Sequence, residues 1–258
     1  MTMPLLFVGH GNPMNAIQDN TWSRAFRSLG QGIPRPRAVL AISAHYYTQG
    51  THLTGNQEPN TIHDFGGFPP ELYEVQYPVP GDPGLASRVA QMLGGIAADV
   101  RHDWGIDHGT WSVLRHMYPR ADVPIVQLSI DATVAMETHW QIGESLRPLR
   151  HDGVLIVGSG NLVHNLRRAF RKWRAGIEDP ELVSLEFDER VARALEEGDK
   201  AWLLHALDDE WGRESHPTPD HYLPVLYTAG AAGDASVSFP IEGFDMGDVS
   251  MRAVRFDG

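Results

Sequence analysis

The sequence predicts an α/β fold: one three-layer domain over residues 1–258, with a mostly parallel central sheet, helices on both faces and an antiparallel C-terminal edge. Three observations predict it. Short, continuously apolar runs alternate with amphipathic stretches, the pattern of strands covered on both sides by helices. The last two runs, Ser236–Phe239 and Ser250–Phe256, instead alternate apolar with polar residues, as an antiparallel pair at a sheet edge does. No internal repeat, low-complexity tract or long linker divides the chain.

Taken in order, Leu5–Val8 reads as the first strand, and the apolar run begins without the basic stretch of an export signal. A helical pattern covers Trp22–Leu29, and Pro34-Arg35-Pro36-Arg37 leads into a strand over Ala38–Ile42. A helix over Pro83–Leu93 stops at Gly94-Gly95, and another spans Thr110–Met117 before Tyr118-Pro119. Pro124–Ile130 is a strand, Met136–Leu149 a helix and Val154–Val157 a strand. Pro180–Leu207 is helical, with Leu182, Leu185, Val191, Ala194 and Leu195 at helical spacing.

Composition narrows the function. Lys and Arg number 21 against 33 Asp and Glu, a net charge of −12, which opposes binding to phosphate backbones and anionic lipids. No run reaches the roughly 20 apolar residues that cross a bilayer. Without cysteine there is no thiolate chemistry, so any metal must be held by nitrogen and oxygen. That composition fits a cytoplasmic protein. Thirteen histidines make imidazole the group to follow.

Three strand-like runs end alike. Leu5–Gly9 is followed by His10-Gly11, Val39–Ala44 by His45, and Val154–Val163 by His164-Asn165. Open α/β sheets bind ligands beyond the carboxyl ends of their strands. If these strands are parallel neighbours, His10 and His45 enter one crevice and His164 comes over it from the following loop or helix start. A single histidine after a strand is ordinarily a satisfied polar residue or a cap. Three in equivalent positions point to a shared metal or catalytic site.

Three further segments add candidates. In Ser215–Pro224, Thr218 or Asp220 can cap a helix carrying Leu223, Leu226 and Tyr227 into the core, with His221 in its first turn and able to reach across a cleft; capping beside a surface histidine is the plainer alternative. His216 reads as a loop residue. His108, between Asp107 and Gly109 at a helix start, suits a contact to substrate or to an oxygen ligand, with Asp107 or a backbone group fixing its tautomer. Capping by Asp107 explains half of that motif equally well. The glycine-rich, aromatic loop Thr61–Pro69, with His63, Asp64 and Phe65, suits a pocket wall and matches no phosphate-loop pattern. His52, His102, His116, His139, His151 and His205 stand in helical or exposed contexts and receive no function.

Together these segments resemble the class III extradiol ring-cleavage dioxygenases, in their 4,5-DOPA dioxygenase extradiol branch. The matching stretches are Gly9–Met14, Ser43–His45, His63–Pro69, Asp107–Gly109, Gln127–Ser129, Gly158–Asn165 and Thr218–Pro224, in order and over nearly the whole chain. The resemblance implies that His10, His45 and His221 hold a divalent metal. It implies that His164 is the acid–base histidine, close enough to be a fourth metal ligand before substrate binds, and that His108 is a second catalytic histidine. His63, Asp64 and Phe65 would then contact substrate. Fe(II) is the implied working metal, with Zn(II) an alternative occupant, and a catechol and O2 are the implied partners. Protocatechuate-type relatives use two histidines and a glutamate. Here His221 takes the third position, and three neutral imidazoles leave the metal's charge uncancelled, as in zinc hydrolases. The implied reaction is opening of a DOPA-like or related catechol ring beside its hydroxyls. Its alternatives are a zinc-dependent hydrolase with Asp64 as base, or a non-catalytic binding protein on the same fold.

Overall fold

Every residue of Leu5–Gly9 (β1) is buried, so both faces of this strand must be covered. They are covered differently. Leu5, Phe7, Leu40, Ile42 and Ile156 join one apolar cluster, while Leu6, Val8, Val39, Ala41, Leu155 and Val157 join a second. The period of two along each strand thus divides the core into two layers around one sheet. The structure, a computed structural model, describes residues 2–258.

After β1, a capping box of Asn20 and Ser23 opens α1 (Thr21–Gln31). The chain continues through β2 (Ala38–Thr48), β3 (Thr51–Thr54), the short α2 (Pro70–Tyr73), α3 (Pro83–Met92) and β4 (Ala98–Arg101). Next come α4 (His108–Met117), β5 (Ile125–Asp131), α5 (Met136–Leu146), β6 (Val154–Gly160), α6 (Leu166–Ala175) and α7 (Leu182–Glu197). The last elements are α8 (Lys200–His205), α9 (Glu210–Ser215), α10 (Leu223–Ala232), β7 (Ser236–Ile241), β8 (Phe244–Asp245), β9 (Val249–Ser250) and β10 (Ala253–Asp257).

The eight-stranded sheet runs β4-β3-β5-β2-β6-β1-β10-β7. β5, β2, β6 and β1 are parallel, and β10 and β7 complete one side antiparallel, as the alternating pattern predicts. On the other side β3 pairs antiparallel with β5 and parallel with β4, an arrangement the sequence reading lacks. Helices α3, α5, α7 and α10 close the first cluster through Val89, Ile142, Phe187 and Leu226, whereas α1 and α4 close the second through Phe26 and Trp111.

Several boundaries differ from expectation for identifiable reasons. The strand expected to end at Ile42 runs on to Thr48, past a register break against β5 between Ile42 and Tyr47. The helix expected to reach Leu149 ends at Leu146 and tightens into a 3-10 turn over Arg147–Asp152. The stretch Pro180–Leu207 is two helices, because Gly198 takes a left-handed conformation at φ 67° and ends the first. Of the residues at helical spacing, Val191, Ala194 and Leu195 are buried, whereas Leu182 and Leu185 are exposed at 66% and 41%. His52 lies in β3, and His139 is buried in α5 against the Tyr227 hydroxyl at 2.9 Å. Among the described residues, no helix is long and apolar enough to cross a membrane.

Candidate metal centre and active site

The sheet order places β2, β6 and β1 side by side and parallel, so their carboxyl ends open into one crevice. His10 follows β1 directly. The β2–β6 ladder stops at the Ser43–Ser159 pair, and His45 stands just beyond it in the irregular stretch of β2. Such irregularities re-aim a side chain at a sheet margin. His164 follows β6, bridged to Val249, with its N–H donating to the Ser215 carbonyl at 2.9 Å.

His221 arrives from the far end of the chain. It sits in the turn before α10, not within the helix as expected, and Asp220 spends its carboxylate on the His221 Nδ1 rather than on a helix N-terminus. Gly160 makes this approach possible, since a Cβ there would lie 2.2 Å from the His221 carbonyl oxygen. His108 opens α4, whose cap is Asp107, accepting from the Thr110 N–H at 3.1 Å. Asp107 does not touch the His108 ring. It accepts from Ser43 Oγ at 2.7 Å and from Gln127 Nε2 at 2.6 Å, forming a fully buried polar plate beneath β2.

Asp64 takes the place expected of Asp107. Its Oδ2 lies 3.0 Å from His45 Nδ1 and 2.9 Å from His108 Nδ1, contacts governed by charge, while Oδ1 accepts the His108 backbone N–H at 2.9 Å. Burial alone would raise the Asp64 carboxyl, but the His108 and His45 rings hold it well below the usual carboxylate range. An ionised carboxylate favours a proton on each facing Nδ1 and so leaves the lone pairs on Nε2.

His10 reaches the same state by another route. Its Nδ1 lies 3.0 Å from Ser159 Oγ, and that hydroxyl donates to the Gly109 carbonyl at 2.5 Å. With its only proton committed, Ser159 must accept from His10 Nδ1–H. With both rings neutral and protonated at Nδ1, His10 Nε2 and His45 Nε2 face each other at 3.2 Å as lone pairs. Two acceptors that close repel unless a cation lies against them. Nitrogen atoms of His10, His45 and His221 all fall within 4.8 Å of one another. Three converging neutral imidazoles fit a divalent transition metal.

At His10, His221 and His164 the remaining electrostatics agree with neutral rings, and His45 is the exception. Burial, followed by the neighbouring histidines, holds His10 far below its ordinary pKa. Burial brings His221 down to about 4 against the opposing pull of Asp220, and burial together with His221 and His216 depresses His164 strongly. Burial lowers His45 too, yet Asp64 and Asp107 outweigh it and leave the net shift upward. His164 stacks face to face on His221, with ring centroids 3.4 Å apart and planes 9° apart. It groups with Asp220 and His221, not with His10 and His45.

A cavity of about 320 Å³ opens over these rings. His10, His45, Asp64, His108, His164 and His221 form its polar floor, and Phe65, Phe68, Leu166, Phe170, Met246 and Val249 its apolar walls. Phe65 stands edge-on to His108 at 5.3 Å. His63 is not part of the lining: its Nε2 contacts the Val75 carbonyl at 3.0 Å, and its ring packs behind Phe65. His216, expected in a loop, is buried behind the site, donating from Nε2 to the Leu162 carbonyl at 2.9 Å. Sequence reasoning missed the pairing roles of Ser159 and Asp220. It also missed Leu166, Phe170, Met246 and Val249, which carry no local signal of a pocket.

A family model described as the catalytic LigB subunit of aromatic ring-opening dioxygenase matches residues 4–256. The 4,5-DOPA dioxygenase extradiol of Escherichia coli K12 is 46% identical over 98% of this chain and 94% of its own length. The protein of the same name from Beta vulgaris is 34% identical over 97% of this chain and 95% of its own. A crystal structure of the uncharacterized protein JW3007 from Escherichia coli K12 superposes with a TM-score of 0.85 at 40% identity, covering 98% of this chain and 99% of that one.

Proposed function

The chain belongs to the LigB family of aromatic ring-opening dioxygenases and is a metal-dependent extradiol dioxygenase, and from that membership we propose that it opens a DOPA-like or related catechol beside its hydroxyls, using O2 and Fe(II) held by His10, His45 and His221. The observation that carries the ligand assignment is the commitment of the Nδ1 protons. Ser159 engages His10, Asp64 engages His45 and Asp220 engages His221 at Nδ1, which leaves Nε2 of each ring free to bind where nitrogens of the three lie within 4.8 Å of one another. Partners of this kind orient metal-binding histidines and raise their basicity. When bound, Fe(II) supplies a redox-active Lewis acid at which catechol and O2 can meet in a fixed orientation.

The chain's own groups do the rest. His164 is neutral at physiological pH and lines the cavity beside His221, so a ring nitrogen can accept a proton from a catechol hydroxyl. The same nitrogen returns a proton later in the reaction. Its stacking on His221 supports a role in proton transfer ahead of one as a fourth ligand. His108, with Nδ1 turned to Asp64, offers Nε2 as an acceptor for a substrate hydroxyl. Phe65, Phe68 and Phe170 sandwich the aromatic ring and keep water away. In this reading Asp64 orients two histidines and Phe65 contacts substrate, while His63 supports Phe65 from behind.

The two curated relatives named above are dioxygenases, which leaves the zinc-hydrolase and binding-protein alternatives without support. The test is to strip the protein of metal, reload it anaerobically with Fe(II) or with Zn(II), and follow O2 uptake over a panel of catechols. Fe(II) should give a yellow ring-opened product with one O2 consumed per ring, and Zn(II) should give none. Equal turnover with zinc, or product without O2, would overturn the proposal.

A further inference from the structure

Helix α6 is amphipathic in the reverse sense for a surface helix. It buries Arg168, Ala169 and Lys172, while Leu166, Phe170 and Trp173, followed by Ile177, face solvent, Trp173 at 60% exposure. The spacing of four and three residues sets Leu166, Phe170 and Trp173 along one stripe of α6, and Ile177 follows just beyond its left-handed cap at Gly176. The inward cations are matched: Arg168 pairs with Asp248, and Lys172 Nζ lies 3.3 Å from Glu181. The helix is therefore fixed with its apolar stripe outward.

The same contacts clamp the start of α7 alongside it, where Arg168 also donates to Ser184 Oγ at 2.6 Å and Leu182 and Leu185 are exposed. Five large apolar side chains on two adjoining helices, with Ile177 in the connection between them, form an exposed cluster of the kind that marks an interaction surface. Charge divides this patch in two. Exposed Arg167, Arg171 and Arg174 border the α6 stripe, and exposed Glu178, Asp179 and Glu186 border the leucines of α7.

We propose that this patch is the interface of a homodimer, in which a two-fold axis sets α6 of one copy against residues 178–186 of the other. A surface that carries both halves is self-complementary: apolar stripe meets leucines, and arginines meet carboxylates, twice. The acidic half would repel an anionic membrane, whereas a second copy of a chain with net charge −12 is an acidic partner for the arginine stripe. Leu166 and Phe170 also line the catalytic cavity, so the interface borders its mouth.

Sedimentation velocity over a concentration series, at low and high salt, tests this. The protein should sediment at twice its 28.6 kDa chain mass and dissociate more readily in high salt. Trp173→Glu and Leu182→Glu, both surface changes, should weaken the dimer by more than about tenfold with unfolding temperature unchanged. Arg167→Glu/Arg174→Glu and Glu178→Arg/Asp179→Arg should each be monomeric alone and pair when mixed. This mixing arm decides the matter even if an apolar substitution impairs folding. A monomer at tens of micromolar, a dimer indifferent to these changes, or a monomer that sediments with anionic vesicles would each overturn the proposal.

Discussion

Which nitrogen of each imidazole carries the proton determines what the cavity can hold, and Asp64 sets it for two rings at once. Its Oδ2 is within 3.0 Å of both His45 Nδ1 and His108 Nδ1. Asp64→Asn keeps the shape but replaces the charge with an amide, so neither ring is held firmly in the Nδ1–H tautomer. Metal affinity should fall about 10–100-fold, as measured by competition with a coloured chelator; an affinity within twofold of wild type would mean that His45 is oriented by something else. His164 should separate from the ligands in the opposite way. His164→Ala is expected to keep most metal while turnover drops by about 10²–10⁴, and His164→Phe, which restores packing without a proton carrier, should do no better. Loss of metal in step with activity would make His164 a ligand first. His10, His45 and His164 are legible in sequence because each follows a recognisable apolar run, and His108 and His221 because each stands beside an aspartate near a helix start. Their partners are not, because Asp64, Ser159 and Asp220 meet their rings through the fold, and only Asp220 neighbours the residue it serves.

Elements position these rings through close backbone approaches, and Gly160 at the end of β6 is the tightest of those at the site. A Cβ there would stand 2.2 Å from the His221 carbonyl oxygen, and that carbonyl accepts the Asn161 N–H at 3.0 Å. Backbone on both sides cannot yield as a flexible side chain does. Gly160→Ala should therefore displace the turn before α10, costing about 1–3 kcal/mol of stability and a larger share of metal occupancy. Gly66→Ala, where a Cβ meets nothing within 4 Å, is the matched control. Thermal unfolding and metal analysis on both variants give the answer; full occupancy in Gly160→Ala would show that the turn adapts. The central strands could be read from sequence because buried parallel strands are continuously apolar. β3 and β4 could not, being four residues each, with Thr51–Thr54 mostly polar and Ala98–Arg101 half exposed. Helix ends were misjudged where one residue's backbone decided them, as at Gly198, and α6 and the start of α7 defeat the apolar-inward rule because buried ion pairs fix their orientation.

Across the whole molecule, two apolar layers enclose one sheet so completely that histidines outside the metal centre are also desolvated. His139 in α5 contacts the Tyr227 hydroxyl of α10, and burial lowers its pKa to about 4 against the weak opposing field of Asp131. Burial brings His216 to about 4 as well, despite its bond to the Leu162 carbonyl. An unfolded chain protonates such rings near pH 6.5. Between about pH 6.5 and about pH 4 the unfolded state therefore binds more protons than the native state, and stability must rise with pH across that window. The contribution is complete above the unfolded pKa and is lost as pH falls toward the folded one, at most about 3 kcal/mol for each ring. Urea midpoints of the chelator-treated protein should thus decline steadily through this range. His139→Gln, which retains an acceptor for the Tyr227 hydroxyl, should reduce the slope by about one proton while leaving the site histidines to titrate as before. Since the metal ligands are unchanged between the two proteins, the difference in slope isolates His139. An identical slope would mean that His139 is already protonated in the native state, and that the α5–α10 contact is more open to water than its burial implies.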